Sequence, residues 1–167
     1  PMIIADKALL VQPNSDAPPA VKTLKLAGKI DARRWLKKQM GSQEYGPERG
    51  KWPRKSPAQD RFWVPYDLFS RKLRKDVEIA LLPTRTPWEA AAHLGFSAVN
   101  YDIEPCHHVA VHRMWHQRYG AEPAAATGDV LEFHVSRPPK TRKAALALAW
   151  EQYSYCADIV DQGEETI

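Results

Sequence analysis

Apolar positions along this chain change rhythm several times, and each rhythm predicts an element. Ala8-Leu9-Leu10-Val11 is a short apolar run that suits a strand. After a turn-rich connection from Pro13 to Pro19, Val21 to Leu26 alternates apolar and basic side chains, the pattern of an exposed strand. Asp31 stands as an N-cap ahead of a short helix over Ala32 to Met40, whose apolar positions are Trp35, Leu36 and Met40. Glycines 41, 46 and 50 and prolines 47, 53 and 57 then predict a long mobile loop from Gly41 to Asp60. Asp67 is placed to cap a short helix running through Leu73. Val77 to Leu82 predicts a strand stopped by Pro83. Thr86-Pro87-Trp88-Glu89 has the order of a helix start, and that helix ends near Gly95.

From Glu104 onward the pattern sharpens. Pro105 to Tyr119 predicts a helix with Val111, Trp115 and Tyr119 on one stripe, Met114 beside them, and Gly120 at its C-terminal end. A hairpin follows, with Glu122 to Ala126, a turn at Thr127-Gly128-Asp129, and Val130 to Ser136. In the second strand Leu131, Phe133 and Val135 share one face, and Glu132 and His134 the other. Past Arg137-Pro138-Pro139-Lys140, Thr141 caps a last helix from Arg142 to about Cys156, with Leu146, Ala149, Trp150 and Tyr153 as its apolar stripe. These elements predict an α+β fold: an antiparallel sheet with helices packed on one face, ending in a helix–β-hairpin–helix unit.

The length of 167 residues fits one domain with a core of its own. Within it, 1–76 reads as a basic N-terminal part and 77–167 as the α+β module. Charge separates the same way. Residues 22–76 hold 16 Lys and Arg against 6 Asp and Glu, and the rest of the chain 8 against 14. A basic segment of this kind meets an acidic partner: nucleic acid, an acidic protein, or the acidic part of its own chain. No apolar run approaches the ~20 residues of a membrane span, and no basic-then-apolar leader is visible, so the expected location is the cytoplasm, with no membrane partner. The two cysteines, Cys106 and Cys156, are too few for a disulfide framework and lack zinc-site pairing. Phosphate-binding glycine loops and the Gly-x-Ser-x-Gly elbow are absent, which lowers the prospect of the common enzyme classes, and no cofactor is implied.

A set of motifs in the second half narrows the reading. It comprises Trp115-His116-Gln117-Arg118-Tyr119-Gly120-Ala121-Glu122, then Thr127-Gly128-Asp129-Val130-Leu131-Glu132, then Arg137-Pro138-Pro139, the alanine–leucine helix Ala144 to Ala149, and Tyr153-Ser154-Tyr155-Cys156-Ala157-Asp158-Ile159-Val160-Asp161-Gln162-Gly163. In this order they resemble a bacterial family known as domain of unknown function 4253. The resemblance implies a shared module over 77–167 and an individual basic addition before it. It implies no activity. One departure stands out: the resemblance implies proline after the motif cysteine, and here the residue is Ala157.

Four constellations carry candidate chemistry. His108, His112 and His116 recur every four residues along one side of a helix, a spacing that suits zinc, nickel or copper, though Val109 stands where a zincin needs glutamate. Cys106 lies at a helix start near imidazoles, which favours a thiolate; a partner base would come from His134 or His93. Tyr153, Tyr155, Cys156, Asp158, Asp161 and Gln162 gather polar groups near a helix end, either as a capping network or as a ligand or partner site, with Asp102 and Glu104 as neighbours of interest. Arg33, Arg34, Lys37 and Lys38 on one helix, with Arg54 and Lys55 in the loop near Trp52, offer cations to nucleic-acid phosphates. The expected function is a non-catalytic protein-binding module of immunity or accessory type. The alternatives are a nucleic-acid binder using 29–75 and a thiol- or metal-dependent enzyme.

Overall fold

The structure is a computed structural model that describes residues 2–6, 18–41, 47–51, 62–67, 69–97 and 103–161. The chain forms two compact units, each assembled from separated stretches: Pro1–Ile30 with Gln59–Arg137, and Asp31–Ala58 with Pro138–Ile167.

The first unit is built on a four-stranded sheet of order β2-β1-β3-β4, where β1 is Met2–Asp6, β2 Val77–Leu81, β3 Ala121–Ala126 and β4 Leu131–Val135. Strands β1 and β2 are antiparallel, with Ile4 opposite Ile79. The β3–β4 hairpin is antiparallel with a bulge between Pro123 and Ala125. The middle pair, β1 and β3, is parallel, with Ile4 opposite Ala125. The sheet is therefore mixed, which corrects the antiparallel expectation. Hairpin signals report only strands adjacent in sequence. More than a hundred residues separate β1 from β3, and the helices between them bring the chain back in the same direction.

Three helices complete this unit: α1 (Ala20–Ala27), α3 (Ala90–Leu94, entered by a 3₁₀ turn at Pro87–Glu89) and α4 (Pro105–Tyr119); α4 and the 3₁₀ turn pack on β3, and α1 and α3 pack on α4. Ile3, Ala80 and Ala126 from the strands close over Ala27, Ala91, Leu94, Phe96, Cys106 and Val109 from the helices and the α3–α4 connection. The predicted stripe of α4 is buried as expected, Val111 completely. Burying such a side chain contributes about 1.5–3 kcal/mol.

Three local expectations are corrected. Val21 to Leu26 is helical: Ala20, Leu24 and Ala27 recur at helical spacing and meet the core, while Val21 points to solvent. A six-residue alternation was too short to separate period two from period 3.6. Asp67 to Leu73 does not form a helix. Backbone bonds from Asp67 N–H to Lys72 O and from Arg74 N–H to Pro65 O close it as a tight turn, and the Asp67 carboxylate accepts from the Ser70 amide instead of capping a helix. Thr86 supplies no side-chain cap to the Pro87–Glu89 turn; the hydroxyl of Thr84 accepts from the Thr86 amide and donates to the Glu89 carboxylate. The first strand of the chain is β1. The expected strand at Ala8–Val11, the residues 42–46 and 52–60 of the expected loop, and Arg54, Lys55, Asp102 and Gln162 lie outside the described residues.

The second unit contains α2 (Ala32–Gly41) and α5 (Arg142–Tyr155), which pack on each other. Both starts follow the sequence. The Asp31 carboxylate accepts from Arg34 N–H at 3.1 Å, and the Thr141 hydroxyl accepts from Ala144 N–H at 3.2 Å. Along α5 the stripe residues Leu146, Ala149 and Trp150 are half-buried and Tyr153 is buried. Along the chain α4, the β3–β4 hairpin and α5 follow one another, but α5 belongs to this unit and α4 with the hairpin to the other, so the expected helix–β-hairpin–helix is not a single unit.

Candidate functional site

The histidine series divides once folded. His108 and His112 are enclosed in an aromatic cluster: Phe96 meets the His108 ring edge-on at 5.0 Å, Phe133 meets His112 at 4.8 Å, and the two imidazoles lie 5.9 Å apart. Burial removes solvation from the charged form, and the neighbouring imidazole adds to it. His108 is held down to about 3 despite a hydrogen bond to the Ile103 backbone, and His112 is held well below its ordinary range. Both rings are therefore neutral packing elements at physiological pH. His116 faces elsewhere, tilted against Trp88 at 4.7 Å, with Nδ1 3.3 Å from the Ala121 carbonyl and 3.7 Å from Glu122 Oε1.

Among the described residues, the ligand-type side chains that converge are Glu104, Cys106 and His107, with donor atoms all within 4.8 Å of one another. They lie at the start of α4, where Pro105 takes the first helical position. Cys106 Sγ is 3.5 Å from Glu104 Oε2 and 3.9 Å from His107 Nδ1. Neighbours in sequence meet here because the first helical turn leaves their side chains free to fold toward one another. The Cys106 thiol is buried and pushed up, first by desolvation and then by the Glu104 carboxylate. That is opposite to the thiolate expected from a helix start, because burial and a negative neighbour outweigh the dipole. His107 is pushed down by burial, with Glu104 opposing.

The terminal motif forms a compact knot in the second unit. The Tyr153 hydroxyl bonds to the Asp161 carboxylate, and its pKa is raised by burial first, then by that neighbouring charge. The Ser154 hydroxyl donates to Trp150 O at 2.7 Å, and the Ala157 carbonyl accepts from Val160 N–H and Asp161 N–H. Tyr155 and Cys156 are both pushed up by burial. Asp158 is half-buried. The helix α5 ends where Cys156 takes an extended backbone, φ −152° and ψ 99°, and the bonds to the Ala157 carbonyl close a further turn after it.

On α2, Arg33, Arg34, Lys37 and Lys38 are all exposed. Two of them, Arg33 and Lys37, rim a cleft of about 500 Å³ between α2 and α5, whose walls are Leu36, Met40, Ala147 and Trp150, with Glu151 and Ser154. Sequence reasoning did not foresee this cleft, since it depends on which faces of two distant helices meet.

Other motif residues prove to be fasteners. Both oxygens of Glu132 accept backbone N–H groups, from Trp63 at 2.7 Å and Val64 at 2.8 Å. Thr127 closes the hairpin turn, accepting from the amides of Asp129 and Val130 and donating to the Asp129 carboxylate. Arg137 donates to the carbonyls of His116 and Gln117 at 3.0 Å each, satisfying the end of α4. The sheet edge is a further surface. Among the described strands β2 is one of the two outer ones, Ala80 faces the core, and Ile79 and Leu81 face away from it, 65% and 80% exposed. The strand over Val77 to Leu82 was expected from the sequence, but its edge position was not.

No curated protein and no solved structure matches the chain. A family model does, over residues 78–167, slightly more than half the length. It begins inside β2 and takes in the fasteners Thr127, Glu132 and Arg137 together with the terminal knot, so the chain belongs to the family described as domain of unknown function 4253.

Proposed function

We propose that this chain is a non-catalytic protein-binding module of accessory or immunity type, working in a bacterial cytoplasm, and that its contact surface is the outer edge of β2. The supporting observation is the pair Ile79 and Leu81 on an edge strand, both largely exposed. Apolar side chains at alternate positions of an edge strand invite strand addition. The occupant is an extended segment of another protein, apolar at every second position, whose backbone supplies affinity and whose side chains cover Ile79 and Leu81.

The test is affinity capture from lysate of the source cells with the wild-type chain and with Ile79→Lys and Leu81→Lys, with and without nuclease. The expected result is a discrete protein that survives nuclease and is lost with either lysine, followed by mapping of its contact to an extended segment. Capture indifferent to both lysines would overturn the reading, as would self-association of the purified chain through this edge. A second reading, nucleic-acid binding, draws on the four exposed cations of α2. It is favoured if every partner disappears with nuclease and if binding falls steeply with added salt.

A further inference from the structure

We infer that Glu104, Cys106 and His107 form a binding site for a divalent transition-metal ion of the zinc type. The three donors differ in kind: a carboxylate oxygen, a sulfur and an imidazole nitrogen. That mixture suits borderline-soft zinc, and not calcium or magnesium, which take oxygen ligands. Their spacing fits one ion. Around tetrahedral zinc, with arms of about 2.3 Å to sulfur and about 2.0–2.2 Å to oxygen or nitrogen, sulfur lies about 3.5–3.7 Å from either partner atom. The structure places Cys106 Sγ at 3.5 Å from Glu104 Oε2 and at 3.9 Å from His107 Nδ1. Of the three pairs, sulfur and carboxylate already have the required separation, sulfur and imidazole need a movement of a few tenths of an ångström, and carboxylate and imidazole, within 4.8 Å of each other, close by rotation of the exposed Glu104 side chain.

Charge and access agree. A thiolate and a carboxylate together neutralise a divalent ion, and binding releases the Cys106 thiol proton to solvent. Cys106 is buried, His107 half-buried and Glu104 exposed, so the ion enters from the Glu104 side and keeps its fourth position there for water. Pro105 and the first turn of α4 hold the three residues on one rigid support. The site is distinct from the histidine series, in which His108 and His112 are packed among aromatic rings.

The experiment is a titration of the chelator-stripped full chain with Co²⁺, followed by displacement with Zn²⁺. One Co²⁺ per chain is expected, with a thiolate-to-cobalt charge-transfer band that zinc abolishes. Cys106→Ser removes the band and Cys156→Ser keeps it. Because Cys106 is buried, Glu104→Gln and His107→Gln serve as variants that leave the core intact, and each weakens Co²⁺ binding by about tenfold or more. Absence of stoichiometric uptake by the wild-type chain would overturn the inference. So would uptake that is unchanged in all three site variants, or that is lost only with His116→Gln.

Discussion

Replacing Gly120 with alanine tests how the family-matched segment is held together. Gly120 ends α4 with φ 61° and ψ 33°, and its N–H donates to the His116 carbonyl at 2.8 Å. A side chain in this left-handed region costs about 1–2 kcal/mol. The new Cβ also overlaps the Ser136 hydroxyl, which reaches across to the Gly120 carbonyl at 3.4 Å. The hydroxyl rotates away and gives up that long bond, for about 0.5–1 kcal/mol. Against this, alanine narrows the unfolded ensemble by about 0.4–1 kcal/mol. The net expected loss is about 1–2 kcal/mol, or a fall of about 0.5–1 M in the urea midpoint for a slope near 2 kcal/mol/M. Urea unfolding followed by circular dichroism measures the loss, and faster amide exchange along α4 localises it. Ser136→Ala alone costs little, and in its background Gly120→Ala loses only the conformational part, since the two β-carbons then lie at ordinary contact distance. A Gly120→Ala chain within 0.5 kcal/mol of wild type would refute the left-handed cap. An unchanged cost in the Ser136→Ala background would refute the steric part.

Two further outcomes follow from the same packing. His112 is held below its unfolded pKa by burial first and His108 second, and His108 is itself held to about 3, so both rings stay neutral in the fold while the unfolded chain takes up protons below about pH 6.5. Their contribution is complete above that pH and is lost as pH falls, at about 1.4 kcal/mol per pH unit for each ring. His112→Asn therefore lowers the acid slope of stability between about pH 6 and 4 by about 1.4 kcal/mol per pH unit; an unchanged slope would remove His112 from the account. Glu132→Gln leaves one of the two amides of Trp63 and Val64 without its acceptor. A loss of about 1.5–3 kcal/mol is expected, with a change in Trp63 fluorescence at low denaturant, and stability equal to wild type would contradict the double clasp.

Several elements were legible because their causes are local. Pro105 and Gly120 bracket α4 whatever surrounds it, since one lacks an N–H that the first turn does not need and the other tolerates positive φ. Asp31 and Thr141 cap their helices through bonds spanning three residues. The period-two pattern of β4 and the turn at Thr127 likewise need no knowledge of the rest of the chain. The Glu-Pro-Cys-His string at 104–107 was also visible, but helical geometry for adjacent residues argued against their meeting, and the freedom of the first turn was the missing consideration.

What the sequence by itself determined is the α+β class, most helix limits, the hairpin and the family segment, because capping, turn chemistry and periodicity act over a few residues. Tertiary structure alone decided the rest. Parallel pairing of β1 with β3, the edge position of β2, the sealing of His108 and His112 among aromatic rings, and the clasp of Glu132 on Trp63 and Val64 all join residues far apart in the chain. Such contacts depend on which buried faces find each other, and that depends on the whole core at once.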